Sequence, residues 1–162
     1  MGWWRAGFIA LLAAGLINTS PAQAQLTEAR VEQFLVQLEL AAERRDVPHI
    51  VDSLADDVII VFRMAALGGM PDLTLTKIQY RDFLVDAFAT IQAHSSRRYG
   101  TKITISQDGL QAEVFANVEE TTTMQGKTSV HTSQQTVLLV LVKDKLQVKR
   151  VFAEVMQGGS DT

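Results

Sequence analysis

Tyr80, His131 and Glu154 are the side chains of this 162-residue sequence best suited to proton transfer, because each stands in an otherwise apolar or alternating stretch. Histidine titrates near neutral pH, which makes His131 an acid–base candidate. Ser133 and Gln135 follow it at strand spacing on the same face and can orient its ring. No carboxylate stands at a spacing that fixes a dyad with it, so the simpler expectation is a solvated strand histidine. Tyr80 lies on the apolar side of a helical pattern, where its ring packs while its hydroxyl can reach a pocket. Core packing is the alternative role for it. Glu154 is in phase with Leu146, Val148, Phe152 and Met156. If that row faces inward, desolvation raises the carboxyl pKa. The opposite row, Val151, Ala153 and Val155, is equally apolar, which leaves the phase open.

Phe83, Phe88 and Phe152 supply aromatic wall for an apolar pocket, and Arg63, at the end of a strand, is placed to meet a carboxylate or an acidic ligand. With Tyr80 and Glu154 they make up the expected ligand-binding set, a surface role being the default for Arg63. His49 and His94 lie at no metal-ligand spacing from another histidine or carboxylate, so no metal is expected. The chain has no cysteine, which excludes thiol catalysis and thiolate metal sites. No other catalytic signature appears, and no cofactor is expected.

The ends bound where such a protein works. Arg5 precedes an apolar run from Gly7 to Ile17, and Ala22-Gln23-Ala24 places small residues where a signal peptidase reads. This is the pattern of a secretory signal peptide cleaved near Ala24, and it predicts a periplasmic or secreted protein. The apolar run is shorter than the roughly 20 residues a spanning helix needs, so the mature form is expected to have no membrane segment. Residues 25–157 are expected to form a single domain. Residues 158–162, Gly-Gly-Ser-Asp-Thr, are expected to be a disordered tail. Net charge is −3, and the basic residues are scattered apart from short pairs such as Arg44-Arg45 and Arg97-Arg98. A nucleic-acid binder would carry a basic stripe, so that class is excluded.

The elements that must position these side chains follow from periodicity. Thr27 caps a helix whose apolar residues Val31, Phe34, Leu35, Leu38 and Ala42 keep helical spacing, and Asp46 caps a short helix running to Ala55. Residues 58–62 read as a buried strand, and 73–75 as a second extended piece beyond a Gly68-Gly69 loop. A third helix spans 77 to about 92, with Tyr80, Leu84, Phe88 and Ile91 along one side. Four strands then follow, at about 98–105, 110–123, 129–142 and 146–156, joined by Asp108-Gly109, Gln125-Gly126 and Lys143-Asp144-Lys145 turns. The 129–142 strand is polar in its first half and apolar on both faces in its second. That switch predicts an exposed rim containing His131 and a doubly covered middle, the outer cover being a second subunit.

This order is α+β, a curved antiparallel sheet wrapped around three helices. The segments AAERRDVPHIVDSLADDVIIVF, YRDFLVDAF and VLLVLVKDKLQVKRVFAEV resemble the nuclear-transport-factor-2-like (cystatin-like α+β cone) family, in the manner of an exported bacterial member. That family includes ketosteroid isomerase and polyketide-cyclase-like proteins. The resemblance implies a pocket between helices and concave sheet, and a homodimer through the outer sheet face. Ketosteroid isomerases set a carboxylate base against a tyrosine and a protonated acid, and that set falls on no matching positions here. The expectation is therefore a non-enzymatic binder of a small, largely apolar ligand or of a protein partner. The alternative is a cofactor-independent isomerase, dehydratase or cyclase using Tyr80, His131 or Glu154. A purely structural interaction module is expected instead if Phe83, Phe88 and Phe152 fill the cavity.

Overall fold

The computed structural model describes residues 25–64 and 71–160. The leader segment, the Gly68-Gly69 loop and residues 161–162 lie outside them. Helix α1 (Glu28–Glu43) starts where Thr27 accepts a hydrogen bond from the Arg30 backbone N–H at 3.2 Å. Asp46 caps α2 (Val47–Asp52) in the same way, with Pro48 in a first turn that needs no donor from it. Thr76 and Gln79 form a reciprocal capping box at the start of α3 (Lys77–Thr90).

Among the described residues six strands make one sheet in the order β2-β1-β6-β5-β4-β3. They are β1 (Leu54–Arg63), β2 (Leu73–Leu75), β3 (Ala93–Ile105), β4 (Gln111–Met124), β5 (Lys127–Val142) and β6 (Lys145–Ser160). All pairs are antiparallel except β1 with β6. Together with three helices this is the expected α+β arrangement of a curved sheet. Two tight turns set the hairpin registers. Gln125-Gly126 and Lys143-Asp144 both hold two consecutive positive φ values, the twist that two-residue hairpins require. At Gly109 the backbone is also left-handed (φ +68°), and an added Cβ would lie 2.9 Å from the Gln25 side chain.

Three boundaries differ from the sequence expectation. Helix α2 stops at Asp52, because Leu54 pairs with Val148 and both Leu54 and Ala55 are buried in the sheet. Strand β3 begins at Ala93, five residues early, since His94, Ser95 and Ser96 pair with β4. The backbone of β6 continues to Ser160 against Ser129, three residues into the segment expected to fray. No described helix is long and apolar enough to cross a membrane.

The main core lies between α1 and the apolar ends of β1, β4, β5 and β6. Val31 and Leu139 are fully buried there, with Val58, Ile60 and Val114 close behind. Burying each such side chain contributes about 2 kcal/mol. A second, smaller cluster of Ala41, Ile50 and Leu84 ties the three helices together, with Tyr80 and Phe88 packed against it. Between the two clusters the helices stand away from the sheet, and the space left is a cavity.

Candidate functional site

The inner face of the sheet changes chemistry along β4 and β5. Val114 pairs with Val137, then Ala116 with Gln135, Val118 with Ser133, and Glu120 with His131. The apolar end of this ladder belongs to the core, and the polar end lines a cavity of about 420 Å3. A volume of this order suits a small organic molecule. Its apolar wall comes from Leu35 and Leu38 of α1, Ile60 and Phe62 of β1, and the α3 face bearing Tyr80, Phe83, Leu84 and Phe88. Phe62, Tyr80 and Phe83 form an aromatic trio with ring centroids 6.0–6.4 Å apart. Such separations lie within the range of favourable ring pairing.

The polar wall is built by three adjacent strands. Ser96 on β3 and His131 on β5 flank Glu120 on β4 in register. His94, one step further along β3, brings its Nε2 to 3.5 Å from Glu120 Oε1. Its side chain is only 9% exposed, and its Nδ1 is buried with no hydrogen-bond partner among the described residues. Phe88 packs edge-on against the ring at 6.3 Å. Tyr80 faces this group from α3. Burial pushes its phenol up to about 12, and the negative charge of Glu120 adds to the shift. At neutral pH the phenol is therefore a hydrogen-bond donor.

Arg98 closes one side of the cavity and joins β3 to α1. Its guanidinium donates to both Glu32 oxygens, at 2.6 and 3.1 Å, and to Glu39 at 2.5 Å. The guanidinium holds the Glu32 carboxyl below its usual range, and the two carboxylates raise Arg98 in turn. With its charge satisfied inside the fold, Arg98 is a structural clasp beside the site. Among the described residues, no three histidine or acidic side chains gather as a metal site.

Of the side chains singled out from the sequence, Tyr80, Phe83, Phe88 and His131 stand on the cavity wall. Arg63, Phe152 and Glu154 do not. A bulge in β6 sets Leu138 of β5 against Arg150 and Leu139 against Val148, skipping Lys149. The inward row therefore changes from Leu146 and Val148 to Val151 and Ala153, and Phe152 and Glu154 turn outward. Arg63 lies on that outer side too, 3.5 Å from Asp72 and 4.9 Å above the Phe152 ring. The constellation of Glu154 with Tyr80 or His131 does not exist. His131 also departs from its expected place, since the inner polar half of β5 is cavity wall and Ser133 is buried. The residues that sequence reasoning passed over are Glu120 and His94. Their one signal was alternation: both fall in phase with inward residues of long strands whose polar composition hid the pattern.

No protein-family model matches the chain, and no curated protein sequence matches it. Solved structures match over most of its length. A provisionally assigned scytalone dehydratase from Novosphingobium aromaticivorans superposes with a TM-score of 0.71 at 12% identity, covering 82% of this chain and 85% of that one. A ketosteroid isomerase-like protein from Erwinia carotovora atroseptica gives 0.61 at 18% identity, over 80% and 95% of the two chains. A nuclear-transport-factor-2-like protein from Cytophaga hutchinsonii gives 0.62 at 18%, over 81% and 100%. At these identities the likeness is one of architecture: the chain has the nuclear-transport-factor-2-like cone fold.

Proposed function

We propose that this protein binds a small, largely apolar molecule carrying one polar group, held between α3 and the concave sheet. The observation that carries this reading is the cavity itself, aromatic and aliphatic along most of its wall and polar at the end where Glu120 meets His94 and His131. The aromatic trio takes the apolar body, and a hydroxyl or carbonyl of the ligand meets the polar end. Phe83 and Phe88 line this space without filling it, which speaks against a purely structural module.

A second reading has a specific observation behind it. A histidine beside a carboxylate, with a protonated tyrosine opposite, is a set able to remove a proton and return it elsewhere without a cofactor. The proteins of similar architecture that carry dehydratase and isomerase names are consistent with such chemistry. Export through the leader at residues 1–24, a periplasmic or secreted location, and a homodimer through the outer sheet face complete the reading.

The experiment is a binding screen by native mass spectrometry and thermal shift with small hydroxy- and keto-substituted aromatic compounds. Retention of such compounds by the wild type, and their loss in Ala116→Trp, which plugs the cavity, supports the reading. A folded wild type that retains none of them overturns it. Conversion of a retained compound by the wild type and not by Glu120→Gln selects the enzymatic version.

A further inference from the structure

We infer that β4, β5 and β6 pair with a second copy of this chain about a two-fold axis running along β5, in a register that sets Glu113 against Arg150 of the second copy. The inference rests on the homodimer part of the proposed function and adds to it a specific arrangement of the interface.

The outward side chains of these strands form rows across the sheet. Glu113, Leu138 and Arg150 share one row, and Phe115, Thr136 and Phe152 share the next. Glu113, Leu138, Thr136, Arg150 and Phe152 line one shallow groove of the outer face. Each row has its centre on β5 and chemically matched ends: an acid opposite a base, then a phenylalanine opposite a phenylalanine. The rows beyond behave alike, with Gln111 and Gln147 about Val140, and Asn117 and Glu154 about Gln134.

This pattern is what self-association about β5 requires. A two-fold axis lying between two stacked sheets and following β5 places β5 over itself and β4 over the second copy's β6. Every row end then meets its match: carboxylate on guanidinium, ring on ring, amide on amide, amide on carboxylate. An axis inclined by about 15° to β5 gives the crossing of about 30° that twisted sheets adopt when stacked. Within one chain Glu113 and Arg150 are two strand spacings apart, about 10 Å between their backbones, with Leu138 between them, and their side chains do not pair. Both are exposed, and neither has an ion-pair partner among the described residues. Phe115 is 38% exposed beside them, and Val140 and the exposed Val142 continue the apolar row from Leu138 along β5. An unrelated partner would place no such matching on the two flanks of a single strand.

Sedimentation velocity on the purified protein, with Glu113→Arg, Arg150→Glu and the double variant, tests the arrangement. The wild type is expected to sediment as a dimer at micromolar concentration. Each single reversal should weaken association at least tenfold, since it sets like charges against each other on both sides of the axis. The double variant should recover the dimer, and so should an equimolar mixture of the two single variants, which also shows that both remain folded. A monomeric wild type overturns the dimer and this arrangement together. A dimer indifferent to both reversals, or one not restored by the mixture, leaves the dimer standing and overturns the arrangement.

Discussion

Glu120 Oε1 lies 3.5 Å from His94 Nε2, while the other ring nitrogen of the same histidine is buried and has no partner among the described residues. An orphaned buried nitrogen is unfavourable, and a core selected for stability alone would not retain it. Its position in a cavity wall, beside a carboxylate, is consistent with the proposed binding of a polar ligand group. Replacing His94 by Leu should therefore leave stability unchanged or raise it by about 1 kcal/mol, because an unsatisfied polar atom is removed. Urea unfolding is the measurement. A loss above about 2 kcal/mol would mean that the imidazole is a structural element and its nitrogen is satisfied.

Tyr80 makes stability sensitive to alkali. Its folded phenol is raised from 10.0 to about 12, chiefly by burial and then by Glu120. Below about pH 10 the phenol is protonated in both folded and unfolded chains, so it contributes no pH dependence. Between about 10 and about 12 only the unfolded chain ionises there, and stability falls as pH rises, by about 2 kcal/mol at the top of the window. Tyr80→Phe should lack this component. Unfolding curves for both proteins at about pH 8 and about pH 11.5 give the comparison, and equal losses in the two would refute it.

Arg98 gives the opposite dependence at acid pH. It holds the Glu32 carboxyl below its usual 4.5, so the pair stabilises the fold above that value and is lost as pH falls through the lower, folded one. Arg98→Leu should cost about 2 kcal/mol near neutrality, since it leaves Glu39 and Glu32 facing each other without their cation. The gap between variant and wild type should narrow as the solution is acidified. A constant gap would assign the loss to packing of the arginine stem.

The two halves of the inner face should respond differently to truncation. Leu139 is fully buried at the centre of the core, so Leu139→Ala should cost about 3 kcal/mol. Phe83 is 44% exposed at the cavity, and Phe83→Ala should cost about 1 kcal/mol while weakening ligand retention. Similar losses at both positions would show that the cavity is in effect core.

Local chemistry was enough to place the helices, the turns and the order of the elements. Thr27 and Asp46 cap the helices they were expected to cap, because a cap is a contact between residues three apart. Gln125-Gly126 and Lys143-Asp144 turn where short-range composition says they should. The apolar half of β5 announced a strand in the middle of a sheet, and it runs between β4 and β6.

The candidate site was not legible in the same way, for two physical reasons. Alternation gives a strand two faces but does not say where a bulge exchanges them, and the extra residue Lys149 alone turns Glu154 and Phe152 from pocket to exterior. Polar residues on an inward face look like solvent-facing ones until another element encloses them. His131 therefore reads as a rim residue, and Glu120 and His94 carry no local mark of a site, until the helices cover β3, β4 and β5. The sequence by itself determined the elements, their caps and their order, because those depend on neighbours in the chain. Only the tertiary structure decided which carboxylate meets which histidine, because that depends on strand register and on what covers the sheet.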